Sequence, residues 1–323
     1  MDAAALTNAS NPIFLEQRAS SNGALASTLA LPTGANDGGG PIAISGTATS
    51  EGDIQLSGDT HFVTVAGYAI VPGIAGIAST SSNSDGGVNR TVARIDKNGV
   101  IDTTTAFDSF SANNVRTAVT NDGTTFWVAG ANVGVINVAI GSSTTTTIQS
   151  TNTNNRSVGI AAGQLYGSTG SGSTYRIYTV GTGLPTTTNQ TITNLPGITN
   201  QDGGSKSPYT FQLMDLDANV AGVDTIYIAD DSGTSAGGGV QKWTYDGNVW
   251  TFKRTFNDQL TTGCFHVVTA KLGNDVHVVC SSAENPSRLV RWVDDGQVVN
   301  PLGTVLATAQ PGTQFRGVAR VPQ

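Results

Sequence analysis

The chain has 323 residues, 38% hydrophobic and 12% charged, with 40 Gly and a formal net charge of −7. An acidic chain this sparse in charge excludes nucleic-acid binding by general phosphate neutralisation, which needs a basic surface. It equally excludes a coiled coil or an acidic disordered tail, since both require dense charge.

In chain order, the start Met1-Asp2-Ala3-Ala4-Ala5 has neither a basic nor a long apolar region, so a signal peptide is expected to be absent or already removed. Runs of four to eight residues rich in Val, Ile, Thr and aromatics then recur between Gly, Asn, Asp and Ser, and none keeps a helical period. Ile13–Ala19 and Ala24–Leu31 read as an outer pair, with Asp2–Thr7 as a weak further strand. The first group of four is Asp53–Ser57, His61–Tyr68, Arg90–Asp96 and Gly99–Thr105, turning at Asn98-Gly99. The second is Val115–Thr120, Thr125–Ala129, Gly134–Ile140 and Thr144–Ser150. The third is Ser157–Ala162, Gln164–Ser168, Tyr175–Val180 and Gln190–Asn194. The fourth is Thr210–Leu216, Asp224–Ala229, Val240–Tyr245 and Asn248–Phe256. The fifth is Phe265–Lys271, Val276–Ser281, Arg288–Val293 and Gln297–Val305, followed by a lone run, Gln314–Val321.

Each innermost run is led by a bulky residue: Glu51, Arg116, Arg156, Tyr209, His266 and Arg316. Six leads predict an all-β, six-bladed β-propeller, with a seven-bladed ring as the alternative. It would form one domain over residues 1–323, closed by pairing of N- and C-terminal strands so that no sheet edge is left exposed. The longest apolar stretch, Phe62 to Ala78, is interrupted by Thr64, Tyr68, Pro72 and several Gly, so no membrane span is expected. Cys264 and Cys280 flank a predicted hairpin. Its geometry is compatible with a cross-strand disulfide, and two buried thiols are the other reading. Asn8, Asn89, Asn155 and Asn189 stand in Asn-x-Ser/Thr sites, as on an extracellular surface.

The segments LPTG, SGTATSEG, NNVRTAV, GQLYGSTGSGSTYR, VGTGLPTT, ITNLPG, GVDTIYIADD and FRGVARVP resemble a widespread group of secreted propeller-type proteins, mostly of unassigned function. The likeness covers nearly the whole chain. It implies a secreted, extracellular propeller and no particular activity.

In a propeller the lead residues converge on the mouth of the central channel. Arg116, Arg156 and Arg316 would there form an anion-selective cup, because a guanidinium fork suits a carboxylate. Asn114 and Asn155 would bind sugar hydroxyls. The first functional reading is therefore binding of an acidic small molecule or uronic-acid glycan. The alternative is an enzyme, a polysaccharide lyase or hydrolase in which Tyr209, His266 or Glu51 moves the proton. The second alternative is a structural extracellular protein, with the arginines tying the channel shut. The sequence leaves the choice between enzyme and binder open, as it does the oligomeric state.

Other chemistries are poorly matched. His61, His266 and His277 lack the spacing of a zinc site. Asp215-Leu-Asp217-Ala-Asn219 begins like a calcium loop, but Val220 and Ile226 stand where Gly and the bidentate Glu belong. Asp230-Asp231 reads as a solvated turn sooner than as a cation holder. No cofactor and no metal is implied. Trp127, Trp243, Trp250 and Trp292 fall inside predicted strands and are expected to be core.

Overall fold

A computed structural model describes residues 5–34, 39–82, 87–172, 176–198, 206–298 and 300–323. The N-terminal part holds four strands, β1 (Ser10–Asn11), β2 (Phe14–Arg18), β3 (Leu25–Ala30) and β4 (Ile44–Ser45). β1 pairs with β4 and β2 with β3, each as a two-stranded antiparallel sheet. The first blade follows as β5 (Ile54–Leu56), β6 (Phe62–Tyr68), β7 (Arg90–Asp96) and β8 (Ile101–Phe107). The second is β9 (Val115–Thr120), β10 (Thr125–Gly130), β11 (Val135–Ala139) and β12 (Thr145–Gln149). The third is β13 (Ser157–Ala161), β14 (Gln164–Ser168), β15 (Ile177–Val180) and β16 (Ile192–Asn194). The fourth is β17 (Pro208–Met214), β18 (Thr225–Asp230), β19 (Gly239–Tyr245) and β20 (Trp250–Phe256). The fifth is β21 (Cys264–Leu272), β22 (Asp275–Ser282), β23 (Arg288–Asp294) and β24 (Thr304–Thr308). Every blade is an antiparallel meander in sequence order.

Strand positions follow the apolar alternation, and the hairpin turns follow local chemistry. At Asn98-Gly99 the glycine takes φ 79°, while the Asp96 carboxylate accepts from the Asn98 and Val100 amides at 2.8 and 2.9 Å. Asp246 and Asp295 cap their turns in the same way, with Gly247 and Gly296 at positive φ. The apolar faces meet between blades. Trp292 packs with Tyr227 and Phe256, Trp127 with Tyr178, and Trp243 with Trp250 and Phe211, so the four tryptophans are core as expected. Burying each such side chain contributes about 1.5–3 kcal/mol relative to leaving it wet. Hydroxyls on second strands stitch the first blade to the second and the third to the fourth: Thr64 Oγ1 donates to Ala118 O at 2.5 Å, and Ser168 Oγ to Tyr209 O.

The propeller has five blades, which corrects the expectation of six or seven. Five four-stranded sheets form, and the segments assigned to a further composite blade do not make one. Among the described residues β2 and β3 pair only with each other, Gln314–Val321 carries no strand ladder, and residues 5–7 of the weak N-terminal candidate form no strand. Asp2 and Tyr175, at the edges of two predicted strands, lie outside the described residues. The N- and C-terminal segments therefore do not close the ring as a paired sheet. Individual contacts join them instead: the Arg316 guanidinium reaches the Gly46 and Ala48 carbonyls and Arg18 lies over the Phe315 ring, while Ser281 Oγ of the fifth blade donates to Arg316 O at 2.5 Å.

The cysteines form a disulfide, Cys264–Cys280, with Cα atoms 6.1 Å apart. A bulge between Cys264 and His266 shifts the β21–β22 register, and Cys280 lies opposite Val267. The bridge is thus diagonal across the hairpin.

Candidate channel-mouth site

The innermost strands β5, β9, β13, β17 and β21 touch in succession, so residues at equivalent ends are brought around one axis. Glu51 precedes β5, Arg116 is the second residue of β9, Arg156 directly precedes β13, Tyr209 is the second residue of β17 and His266 the third of β21. Arg316 arrives from the chain end. The six lead residues are gathered: Arg116 feels the charges of Arg156, Tyr209 and Glu51, Arg316 those of Glu51 and Tyr209, and His266 that of Arg316.

Their roles divide by what each polar atom already holds. Glu51 is fully buried and accepts from Tyr68 Oη at 2.6 Å, Asn114 Nδ2 at 2.6 Å and the Ser45 amide at 2.8 Å. Burial nevertheless lifts its carboxyl above the usual range, outweighing those bonds and the charge of Arg316. Arg316 spends Nη1 on Ala48 O at 2.6 Å and Nη2 on Gly46 O at 2.9 Å. Its approach requires Gly52 (φ 83°), where a Cβ would lie 2.9 Å from Arg316 Cβ. This arginine is at the mouth with both terminal nitrogens bonded to loop carbonyls.

Arg116 and Arg156 differ. Arg116, 8% exposed, gives Nη1 to Asn154 Oδ1 at 2.6 Å and Asn155 O at 2.7 Å. Arg156 gives Nη1 to Tyr209 Oη at 3.0 Å and stacks over that ring at 4.6 Å. Both Nε atoms are buried and have no hydrogen-bond partner among the described residues. Among the described residues neither guanidinium has a carboxylate in salt-bridge contact. Burial, and then the like charge of Arg156, lower the Arg116 pKa to about 10.

His266 is buried, its Nδ1 3.3 Å from Ser281 Oγ; burial and Arg316 lower its pKa to about 3, so the ring is neutral near pH 7. Tyr209 has its phenol pushed up by burial against the opposing pull of Arg156. Asn155 departs from expectation: it is wholly buried, and its side chain bonds Asn152 and Tyr178. It is satisfied inside the third blade, with neither an amide for a ligand nor, in the folded chain, an accessible glycosylation site.

Sequence reasoning missed Asp53, whose buried carboxyl accepts from Ser157 Oγ at 2.7 Å and Gln55 Nε2 at 2.9 Å and is also raised by burial. Glu51, Asp53 and Gln55 alternate with Gly52 and Ile54, a period-two polar face that marks a strand turned to the channel. It also missed Asp231 as a member of the mouth: this half-buried carboxyl interacts with Arg156, Tyr209 and Ser207.

No group of three or more His, Cys, Asp or Glu suited to a metal ion occurs among the described residues. Asp230 uses its oxygens on the Ser207 and Ser232 amides at 2.9 and 3.0 Å, and Asp217 caps Asn219. Among the described residues no helix is long and apolar enough to cross a membrane.

No protein-family model and no curated protein matches the chain. Among solved structures it is similar to a periplasmic gluconolactonase of Pseudomonas aeruginosa, at 12% identity and TM-score 0.46, over 95% of this chain and 84% of that one. It is similar to a putative 6-phosphogluconolactonase from Bacteroides uniformis, at 10% identity and TM-score 0.47, over 96% and 84%. It is also similar to PorZ, a surface component of the type-IX secretion system of Porphyromonas gingivalis, at 16% identity and TM-score 0.46, over 86% and 36%. Likenesses this distant carry no activity across; the fold rests on the five sheets themselves.

Proposed function

We propose that this chain is a secreted β-propeller that binds a carboxylate-bearing ligand, of the kind a uronic-acid glycan presents, between Arg116 and Arg156 at the channel mouth. The observation that carries the reading is the pair itself: buried Arg116 beside half-buried Arg156, each with a buried Nε that finds no hydrogen-bond partner and a guanidinium that makes no salt bridge among the described residues. Like charges held together in a low-dielectric setting repel, and a bidentate anion between them would reverse the sign of that interaction. Tyr209 fixes the orientation of Arg156, and Asn154 that of Arg116. Secretion is supported by the Cys264–Cys280 disulfide, since such bonds persist in oxidising compartments.

The acid–base groups favour binding over a lyase or hydrolase. His266 is buried and held neutral, Tyr209 is a weaker acid than a free phenol, and Glu51 is occupied by three donors. Calorimetry with D-galacturonate tests the reading, run beside a screen for unsaturated products from uronate polymers. Affinity that disappears in Arg116→Ala and Arg156→Ala, without turnover, is the expected result. Absence of affinity for any anion leaves the arginines structural and defeats the proposal; turnover moves the site to the enzyme class.

A further inference from the structure

The end of the chain is seated by side chains. Residues 314–321 make no backbone-to-backbone hydrogen bond among the described residues. On the side of the fifth blade, Ser287 Oγ accepts from the Phe315 amide at 2.7 Å and Ser281 Oγ donates to Arg316 O at 2.5 Å. On the side of the first, Gly317 lies so close to β5 that a Cβ there would be 2.5 Å from Gly52 O.

From this seat Arg316 reaches into the mouth. Its two terminal nitrogens hold the Ala48 and Gly46 carbonyls at 2.6 and 2.9 Å, and one planar fork bonded to two carbonyls of the same turn fixes the shape of that turn. The turn, residues 45–51, is closed by Glu51. The Glu51 amide donates to Ala48 O at 3.1 Å, and one carboxylate oxygen accepts from the Ser45 amide at 2.8 Å. The other oxygen accepts from Asn114 Nδ2 at 2.6 Å. Asn114 stands two residues before Arg116, and its carbonyl accepts from the Ala131 amide at 3.0 Å, so it fixes where β9 enters the mouth. A continuous set of hydrogen bonds thus runs from Arg316 to the backbone that presents Arg116.

Resting on the anion site proposed above, we infer that Arg316 is a positioning residue of that site: without touching the ligand, it sets Arg116 through the 45–51 turn, Glu51 and Asn114. A direct ligand contact by Arg316 is the competing role, and a double-mutant cycle tells the two apart.

The test is calorimetry with D-galacturonate on the full chain and its variants, with peptide-level hydrogen exchange on the ligand-free proteins. Arg316→Met should weaken galacturonate binding by about threefold to thirtyfold, the range for a residue that acts through intervening contacts. It should also speed exchange in residues 46–51 and 114–116. Arg316→Lys, which keeps a donor for the carbonyls, should restore part of both effects and answers the question if the methionine variant does not fold. Asn114→Ala should weaken binding to a similar degree, and Arg316→Met added to it should lose no further affinity. Additive losses would make Arg316 a ligand contact and overturn the inference. Unchanged affinity, or unchanged exchange at 114–116, in Arg316→Met would overturn it too. Those results leave the anion site standing so long as Arg116→Ala abolishes binding. If the wild type binds no carboxylate, the anion site itself fails and the positioning role with it.

Discussion

Replacing Arg116 with methionine removes a charge and nearly preserves the side-chain stem. With its pKa lowered from 12.5 to about 10, the buried guanidinium costs the folded state about 3 kcal/mol at neutral pH. The sign follows from linkage. A cation whose folded pKa is depressed destabilises the native state at every pH below about 10, and the penalty fades only as pH rises through 10 toward 12.5. Against this, Arg116→Met abandons the Asn154 Oδ1 and Asn155 O contacts. Leaving a buried carbonyl unpaired costs about 1–3 kcal/mol. The ligand-free variant should therefore equal the wild type in stability or exceed it by up to about 2 kcal/mol. Urea unfolding at pH 7 measures this directly. With galacturonate at one hundred times its dissociation constant, the wild type should gain about 2.7 kcal/mol and the variant nothing. A ligand-free variant weaker by about 3 kcal/mol or more would show that the arginine is a structural tie, and the reasoning would fail.

Reduction of Cys264–Cys280, which spans 16 residues, should cost about 3 kcal/mol and lower Tm by several degrees, read by calorimetry with and without reductant. Because burial raises Glu51, the folded state retains a proton that the unfolded chain releases, so this group makes stability fall as pH rises from 4.5 toward its folded pKa. Glu51→Gln should lack that part of the slope, and urea midpoints taken from pH 4 to 7 should diverge in favour of the variant as pH rises. The His266 ring, with a folded pKa of about 3, should show no NMR titration between pH 8 and 5, and its contribution to stability should decline as pH falls from 6.5 toward 3.

The blades were legible because each hairpin carries its own signals: alternating apolar residues and an Asx-Gly turn with a capping carboxylate, as at Asp96, Asp246 and Asp295. Counting them from the lead residues failed for a physical reason. Arg316 and the chain after it approach the axis like an innermost strand, and Ser281 bonds it as Ser168 bonds Tyr209, yet no neighbour pairs along its length. A lead residue marks a position around the axis and does not guarantee a four-stranded sheet outside it. The gathering of the mouth was legible for the same reason. The fate of each group was not, since it depends on contacts between distant segments: Gly46 and Ala48 with Arg316, Tyr178 with Asn155, and Tyr209 with Arg156.

The most direct test of the central claim is a crystal of the protein soaked with D-galacturonate and examined at the channel mouth. A carboxylate seated between Arg116 and Arg156, within hydrogen-bond distance of both orphan Nε atoms, is the expected result. A sugar bound elsewhere with that gap unfilled at saturating concentration would contradict the account.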